Sequence, residues 1–181
     1  MKTLTKQLTA TLICLAAPFA ALANHHEEKA LPLTNQVIIG SISSAADKMV
    51  QLANAIPEAK YDWMPMEGVA SVSGVLGHVA GANYYIGGML GAKMPEGVNP
   101  QTMSEGADKA KLIANYEASI AFVKQAIAGV SPEAMKEEIE FFGMKAPRAQ
   151  LVMVLADHCH EHLGQMIAYA RSNEVTPPWS R

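Results

Sequence analysis

Residues 151–171 read LVMVLADHCHEHLGQMIAYAR. Apolar side chains recur in this stretch at three- and four-residue steps, the period of an amphipathic helix and not of a strand. An advance of about 100° per residue puts His158 and His162 roughly 40° apart on one face, beside Leu151, Leu155, Gln165 and Tyr169. His160 points the other way. The apolar companions mark that face as the buried one, so two imidazoles one turn apart are expected to project into the interior of a helical bundle. The helix should open after Pro147 and continue to Arg171, with Pro177 and Pro178 following it.

The remainder of the chain supplies partners for such a helix. Val37, Ile38, Ile42, Ala45, Met49, Leu52 and Ile56 repeat at helical steps until Pro57 stops them. After a connector at residues 61–68, Ser71 or Ser73 can cap a second helix that runs to about Lys93, with Val75, Val79, Ala82, Ile86 and Met89 on one side. Its several glycines each cost about 1 kcal/mol relative to Ala, and close helix packing is one reason to tolerate them. Residues 94–106 contain Pro95, Gly97, Pro100 and Gly106 and read as a long crossover loop. A third helix covers residues 107–128 and ends at Gly129. Ser131 and Pro132 then start a short helical turn, and residues 139–145 lack a helical period and read as an extended excursion. Four substantial helices with connectors of these lengths predict an all-α fold, a single four-helix bundle with a long crossover loop. An α+β domain would need real strands, and only residues 139–145 offer one.

Composition agrees with this reading. The 181 residues are 50% apolar and 17% charged, with a formal net charge of −3. That balance excludes a disordered chain, and it also excludes a basic nucleic-acid binder, which needs an excess of Lys and Arg. Sparse aromatics, abundant Ala and 11 Met favour helices over a sandwich or barrel.

Residues 1–23 have a different character. Lys2 and Lys6 precede an apolar stretch at residues 8–22, and Ala21 and Ala23 occupy the two positions that a signal peptidase inspects. The pattern predicts a cleaved secretory signal and a periplasmic or secreted protein. Pro18 interrupts the stretch, which is too short for a comfortable span of roughly 20 apolar residues. Bulky Leu12 and Ile13 before Cys14 argue against a lipid-attachment signal. Removal of the 23 residues leaves a single domain at 24–181, takes the net charge to −5 and leaves Cys159 alone, so no internal disulfide can form. No second long apolar run follows, and no stable membrane insertion is expected after cleavage.

The histidines carry the chemistry. Two neutral imidazoles at i and i+4 can bind one divalent ion, and a third from a facing helix completes a facial set with open positions for water or substrate. His78 in the second helix is the candidate for that third ligand to join His158 and His162. The alternative is that buried histidines hydrogen-bond each other or a nearby Tyr. Other motifs fail on spacing. His158-Cys159-His160-Glu161-His162 matches the inverted zinc-protease pattern, but only Glu174 lies downstream as an acidic ligand. Gly164 stands where the forward pattern needs His, and the carboxylates of a di-iron bundle are missing at the required offsets. No haem-attachment motif is present. Cys159 and His160 are expected to be partly exposed bystanders. Glu161 is either an orienting or proton-accepting group or a solvated helix charge. His25 and His26 could chelate copper or nickel at a new amino terminus, or lie in a polar tail.

Three stretches also carry a resemblance. Lys60-Tyr61-Asp62-Trp63 with Pro65, the run SGVLGHVAGANYY at residues 73–85, and ADHCHEHLGQMIAYAR at 156–171 ahead of Pro177-Pro178 resemble the DinB-like proteins of the DinB/YfiT superfamily. The resemblance spans residues 33–181, and its most specific part is H-x-x-x-H-x-G-Q. It implies a metal-binding four-helix bundle with ligands at His78, His158 and His162. The chain departs from the pattern at Gly81, where an acidic residue is expected, and at Leu163, where Tyr or Arg is more usual. Some members of the family are metal-dependent thiol transferases or isomerases that use small thiol cofactors.

Together these readings predict an exported protein holding one divalent ion (zinc, nickel or iron) with positions left open. It would be a metal-dependent hydrolase or thiol or group transferase on a small-molecule substrate, or else a non-catalytic bundle in which metal stabilises the fold or is stored. Gln165 is expected to hydrogen-bond a ligand or substrate. No nucleic-acid partner is expected of so acidic a chain, and the resemblance allows a homodimer.

Overall fold

The computed structural model describes residues 31–180, so the expected signal at 1–23, Cys14 and the His25-His26 pair lie outside the described residues. Four helices dominate: α1 (Leu33–Ala55), α2 (Val72–Met89), α3 (Lys109–Ala128) and α4 (Arg148–Ser172). α1 packs against α3 and α4, and α2 against the same two, so α1 and α2 lie across a diagonal of the bundle. Ile42, Met49, Leu52, Leu76, Leu112, Tyr116, Ile127, Leu151, Leu155 and Met166 fill the space between them.

The ends of the helices explain their placement. Ser71 caps α2 by accepting from the Gly74 N–H at 3.2 Å, and the Ser73 hydroxyl bonds Ser71 instead of capping. α2 ends at Met89, short of Lys93, because Gly91 turns into the left-handed region at φ 98°. Asp108 caps α3 through the Lys111 N–H at 2.8 Å. Two distant side chains satisfy carbonyls at helix C-termini. Lys109 donates to Asn54 O and Ile56 O at the end of α1, and buried Asn35 donates to Ile127 O and Val130 O at the end of α3.

The extended excursion is an antiparallel hairpin of β1 (Glu138–Phe141) and β2 (Met144–Pro147). Phe142 and Gly143 form its two-residue turn with φ of 49° and 74°, the positive angles that suit the twist of a tight hairpin. So small a ribbon needs an anchor. Phe141 supplies one by burying its ring in the core, and Arg148 pairs with Glu137 at 3.0 Å where the hairpin meets α4.

The glycines of α2 are explained by contacts of two kinds. Gly87 faces the Phe122 ring of α3, which is the helix packing expected from the sequence. Gly77 and Gly81 face the crossover instead. A Cβ at Gly77 would meet the Ser104 Cβ at 2.5 Å, and one at Gly81 would strike the Pro100 carbonyl oxygen. The crossover includes a 3₁₀ turn at Pro100–Thr102, capped by Asn99, and lies directly on the α2 backbone. No side chain, acidic or otherwise, has room at position 81.

This arrangement predicts opposite responses along one helix. Gly81→Ala should destabilise the protein by about 1–3 kcal/mol in urea unfolding through overpacking. Gly88→Ala, where a Cβ meets nothing within 4 Å, should be neutral or stabilise by up to about 1 kcal/mol. Equal effects of the two changes would contradict the packing of the crossover on α2.

Candidate metal centre

His78 sits in the second turn of α2, and His158 and His162 lie one turn apart in α4, where the two helices pack together. The His158 Nε2 atom stands 3.0 Å from His78 Nε2 and 3.1 Å from His162 Nε2. One ligand atom from each residue fits within 4.8 Å of the others. The three residues named from sequence therefore converge, and they can hold a metal ion. Their position differs from the expected one. His158 and His162 are half-buried and His78 is exposed, so the cluster occupies the rim of the bundle and not its interior. The fully buried face of α4 is turned to one side of it and carries Leu151, Leu155, Cys159 and Met166.

A chain of hydrogen bonds fixes the tautomer of one ligand. The Ala70 carbonyl can only accept, so the Tyr169 hydroxyl donates to it at 3.0 Å. The Tyr169 oxygen then accepts from Gln165 Nε2 at 2.8 Å, which leaves the Gln165 amide oxygen facing His162 Nδ1 at 2.7 Å. His162 must carry a proton on Nδ1, so in the neutral ring the Nε2 lone pair is free toward the cluster. Gln165, expected to hydrogen-bond a ligand or substrate, has its amide oxygen committed to orienting His162. Trp63 packs edge-on against Tyr169 with ring centroids 5.2 Å apart and holds the outer end of the chain.

With His162 Nε2 bare, the cluster lacks protons. A single Nε2–H on His158 can serve only one of its two short contacts. If His158 is bare at Nε2, its contact with His162 joins two lone pairs. Every such assignment leaves one N···N contact without a proton between the atoms, whereas a cation satisfies all three lone pairs at once. The donor set thus fits a borderline divalent ion. Burial, and then His162 and His78, pushes the His158 pKa down to about 4, and burial lowers that of His78 despite the opposing effect of Glu161. His78 and His158 are therefore neutral at physiological pH, and metal need not displace a proton from them. His158 Nδ1 is buried without a hydrogen-bond partner among the described residues.

The other candidates fall outside the cluster. Cys159 is not a partly exposed bystander. It is buried in the core, its thiol lies 3.9 Å from Asn83 Oδ1, and burial pushes its pKa up to about 12. It stays protonated and packs as a small apolar group. α4 is contacted on two sides, by α1 and α2, and Cys159 meets Asn83 of α2, which helical-wheel reasoning with a single buried face does not capture. His160 is exposed, with Nδ1 2.9 Å from the Ala156 carbonyl. Glu161 is an exposed helix charge outside the cluster, and among the described residues no carboxylate or thiol joins the three imidazoles.

His78 and His158 are among the residues that line a cleft of about 640 Å³. Its walls come from α2, the crossover and the hairpin turn, and they include Gly81, Ser104 and Phe142. Sequence reasoning did not find this cleft, because it depends on the crossover docking at Gly77 and Gly81 and on the direction of the hairpin.

A four-helix bundle with three convergent imidazoles that can hold a metal ion defines a scaffold of the DinB type. The DinB superfamily pattern matches residues 42–166, and the chain belongs to that family. Solved structures agree on the fold. A DinB-like protein from Bacillus cereus superposes with a TM-score of 0.67 at 18% identity, covering 79% of this chain and 95% of that one. A conserved protein from Enterococcus faecalis gives 0.64 at 17% identity, with 78% and 97% covered. A mutant of mycothiol-dependent maleylpyruvate isomerase gives 0.60 at 15% identity, with 75% of this chain and 61% of that one covered. A search of curated proteins finds no match.

Purified protein titrated with zinc should bind one ion per chain by calorimetry, and His78→Ala should abolish tight binding. Gln165→Leu should leave the fold intact and weaken zinc binding by about 10- to 100-fold, since it frees the tautomer of His162. Unchanged affinity in Gln165→Leu would exclude the orienting role.

Proposed function

We propose that this chain is an exported metal-dependent enzyme, a hydrolase or a thiol or group transferase, acting on a small molecule. The carrying observation is that two of the three convergent imidazoles, His78 and His158, line a cleft, with no fourth carboxylate or thiol among the described residues to close the set. Structural zinc sites are usually closed by four protein ligands, and catalytic sites keep a position open. A divalent ion of the zinc, nickel or iron type supplies Lewis-acid chemistry there.

The protein's own residues supply the rest. His162 is held in one tautomer by Gln165, and Tyr169 holds Gln165. His78 connects the site to α2, whose glycines let the crossover form a wall of the cleft. Protonated Cys159 takes no part as a nucleophile, so thiol chemistry would use a thiol brought by the substrate. Export rests on the signal pattern of residues 1–23. It is compatible with a described domain in which no helix is long and apolar enough to cross a membrane.

Cobalt-substituted protein distinguishes this reading from a storage or structural site. Titration with azide or a small thiol should shift the visible spectrum saturably, as an exchangeable position requires. A spectrum indifferent to both would show a closed coordination shell and favour the non-catalytic reading.

A further inference from the structure

The composition of the cleft narrows the class of molecule that enters it. Tyr85, Ile86, Met103, Phe142 and Val154 give it carbon-rich walls, and among the described residues its lining includes no Lys, Arg, Asp or Glu. The polar groups are few: His78 and His158 at the metal end, and Gln101 and Ser104 on the crossover. A volume of about 640 Å³ suits a small molecule. An anionic substrate would find no countercharge in these walls apart from the ion itself.

Two features of the wall are unfavourable in the absence of a ligand. Tyr85 is 54% exposed and Phe142 is 58% exposed, with their ring centroids 6.1 Å apart and their planes inclined by 33°. They form one aromatic surface facing water. Phe142 also adopts φ 49° in the hairpin turn, a conformation that Asn or Gly takes with less strain. A bulky ring that is both strained and exposed beside a cleft is better explained by ligand contact than by stability.

We propose that the cleft binds an uncharged molecule with a flat apolar body, packed against Tyr85 and Phe142, with its polar end directed toward His78 and His158. This deepens the functional reading above and rests on the metal centre being a small-molecule site. Phe142 and Tyr85 are the specificity-determining residues. Ser104 and Gln101 on the crossover offer hydrogen bonds to a substituent.

A matched pair of fluorescent probes tests the charge and shape requirements. N-phenyl-1-naphthylamine is neutral, and 1-anilinonaphthalene-8-sulfonate has nearly the same rings with one negative charge. Protein freed of metal should bind the neutral probe saturably at one site per chain, and the sulfonate at least tenfold more weakly, because no cation then stands beside the cleft. Phe142→Asn suits the turn geometry, so the variant should keep its melting temperature and zinc stoichiometry while binding the neutral probe roughly five- to tenfold more weakly. Tyr85→Ser should weaken it similarly. Equal or tighter sulfonate binding, absence of saturable binding, or neutral-probe affinity unchanged in both variants would overturn the inference. Zinc titration of the same samples separates the two readings. Zinc binding without probe binding removes this inference alone, and probe binding in protein that takes up no zinc removes the metal centre alone.

Discussion

The hydrogen bond from Tyr169 to the Ala70 carbonyl sets the polarity of everything inward of it. A carbonyl oxygen has no proton to give, so the direction of each later bond, through Gln165 to His162, follows from that one acceptor. Ala70 directly precedes Ser71, the cap of α2, and α2 carries His78. The same contact therefore ties α4 to the start of the helix that brings the third imidazole. Helix packing and ligand tautomer are aligned by a single chain of side chains, with Trp63 bracing its outer end.

The cleft has a separate origin in the absence of side chains at Gly77 and Gly81. The crossover reaches the α2 backbone there, close to His78, and becomes a wall in place of a loose loop. A bundle closed by large side chains at these positions would hold its histidines at an open surface. Glycines that weaken α2 as an isolated helix thereby shape the space beside His78 and His158. The hairpin completes the enclosure: Phe141 is buried as its anchor while the next residue, Phe142, turns its ring outward to the cleft.

Much of this was legible in the sequence because its signals are local. Helical periods and stop residues located four helices, and the i, i+4 spacing of His158 and His162 placed two imidazoles together before any tertiary information. His78 required the further premise that two helices face each other, and the bundle topology satisfies it. What periodicity could not supply was depth. A helix packed on two sides has a wide buried face, so Cys159 turned out to be core and the histidines lie on its border. The partner of Gln165 was ambiguous for a similar reason, since an amide one turn from a ligand can face either the substrate or the ligand's outer nitrogen. The cleft was illegible because it depends on contacts between segments distant in sequence, Gly81 with Pro100 and Tyr85 with Phe142.

The central claim is that His78, His158 and His162 together bind one ion and leave part of its shell open. X-ray absorption at the zinc edge of the loaded protein measures this directly. Three imidazole nitrogens are expected at about 2.0–2.1 Å, completed by one or two exchangeable oxygen ligands and no sulfur. A sulfur at about 2.3 Å, or a shell containing fewer than three imidazoles, would contradict it.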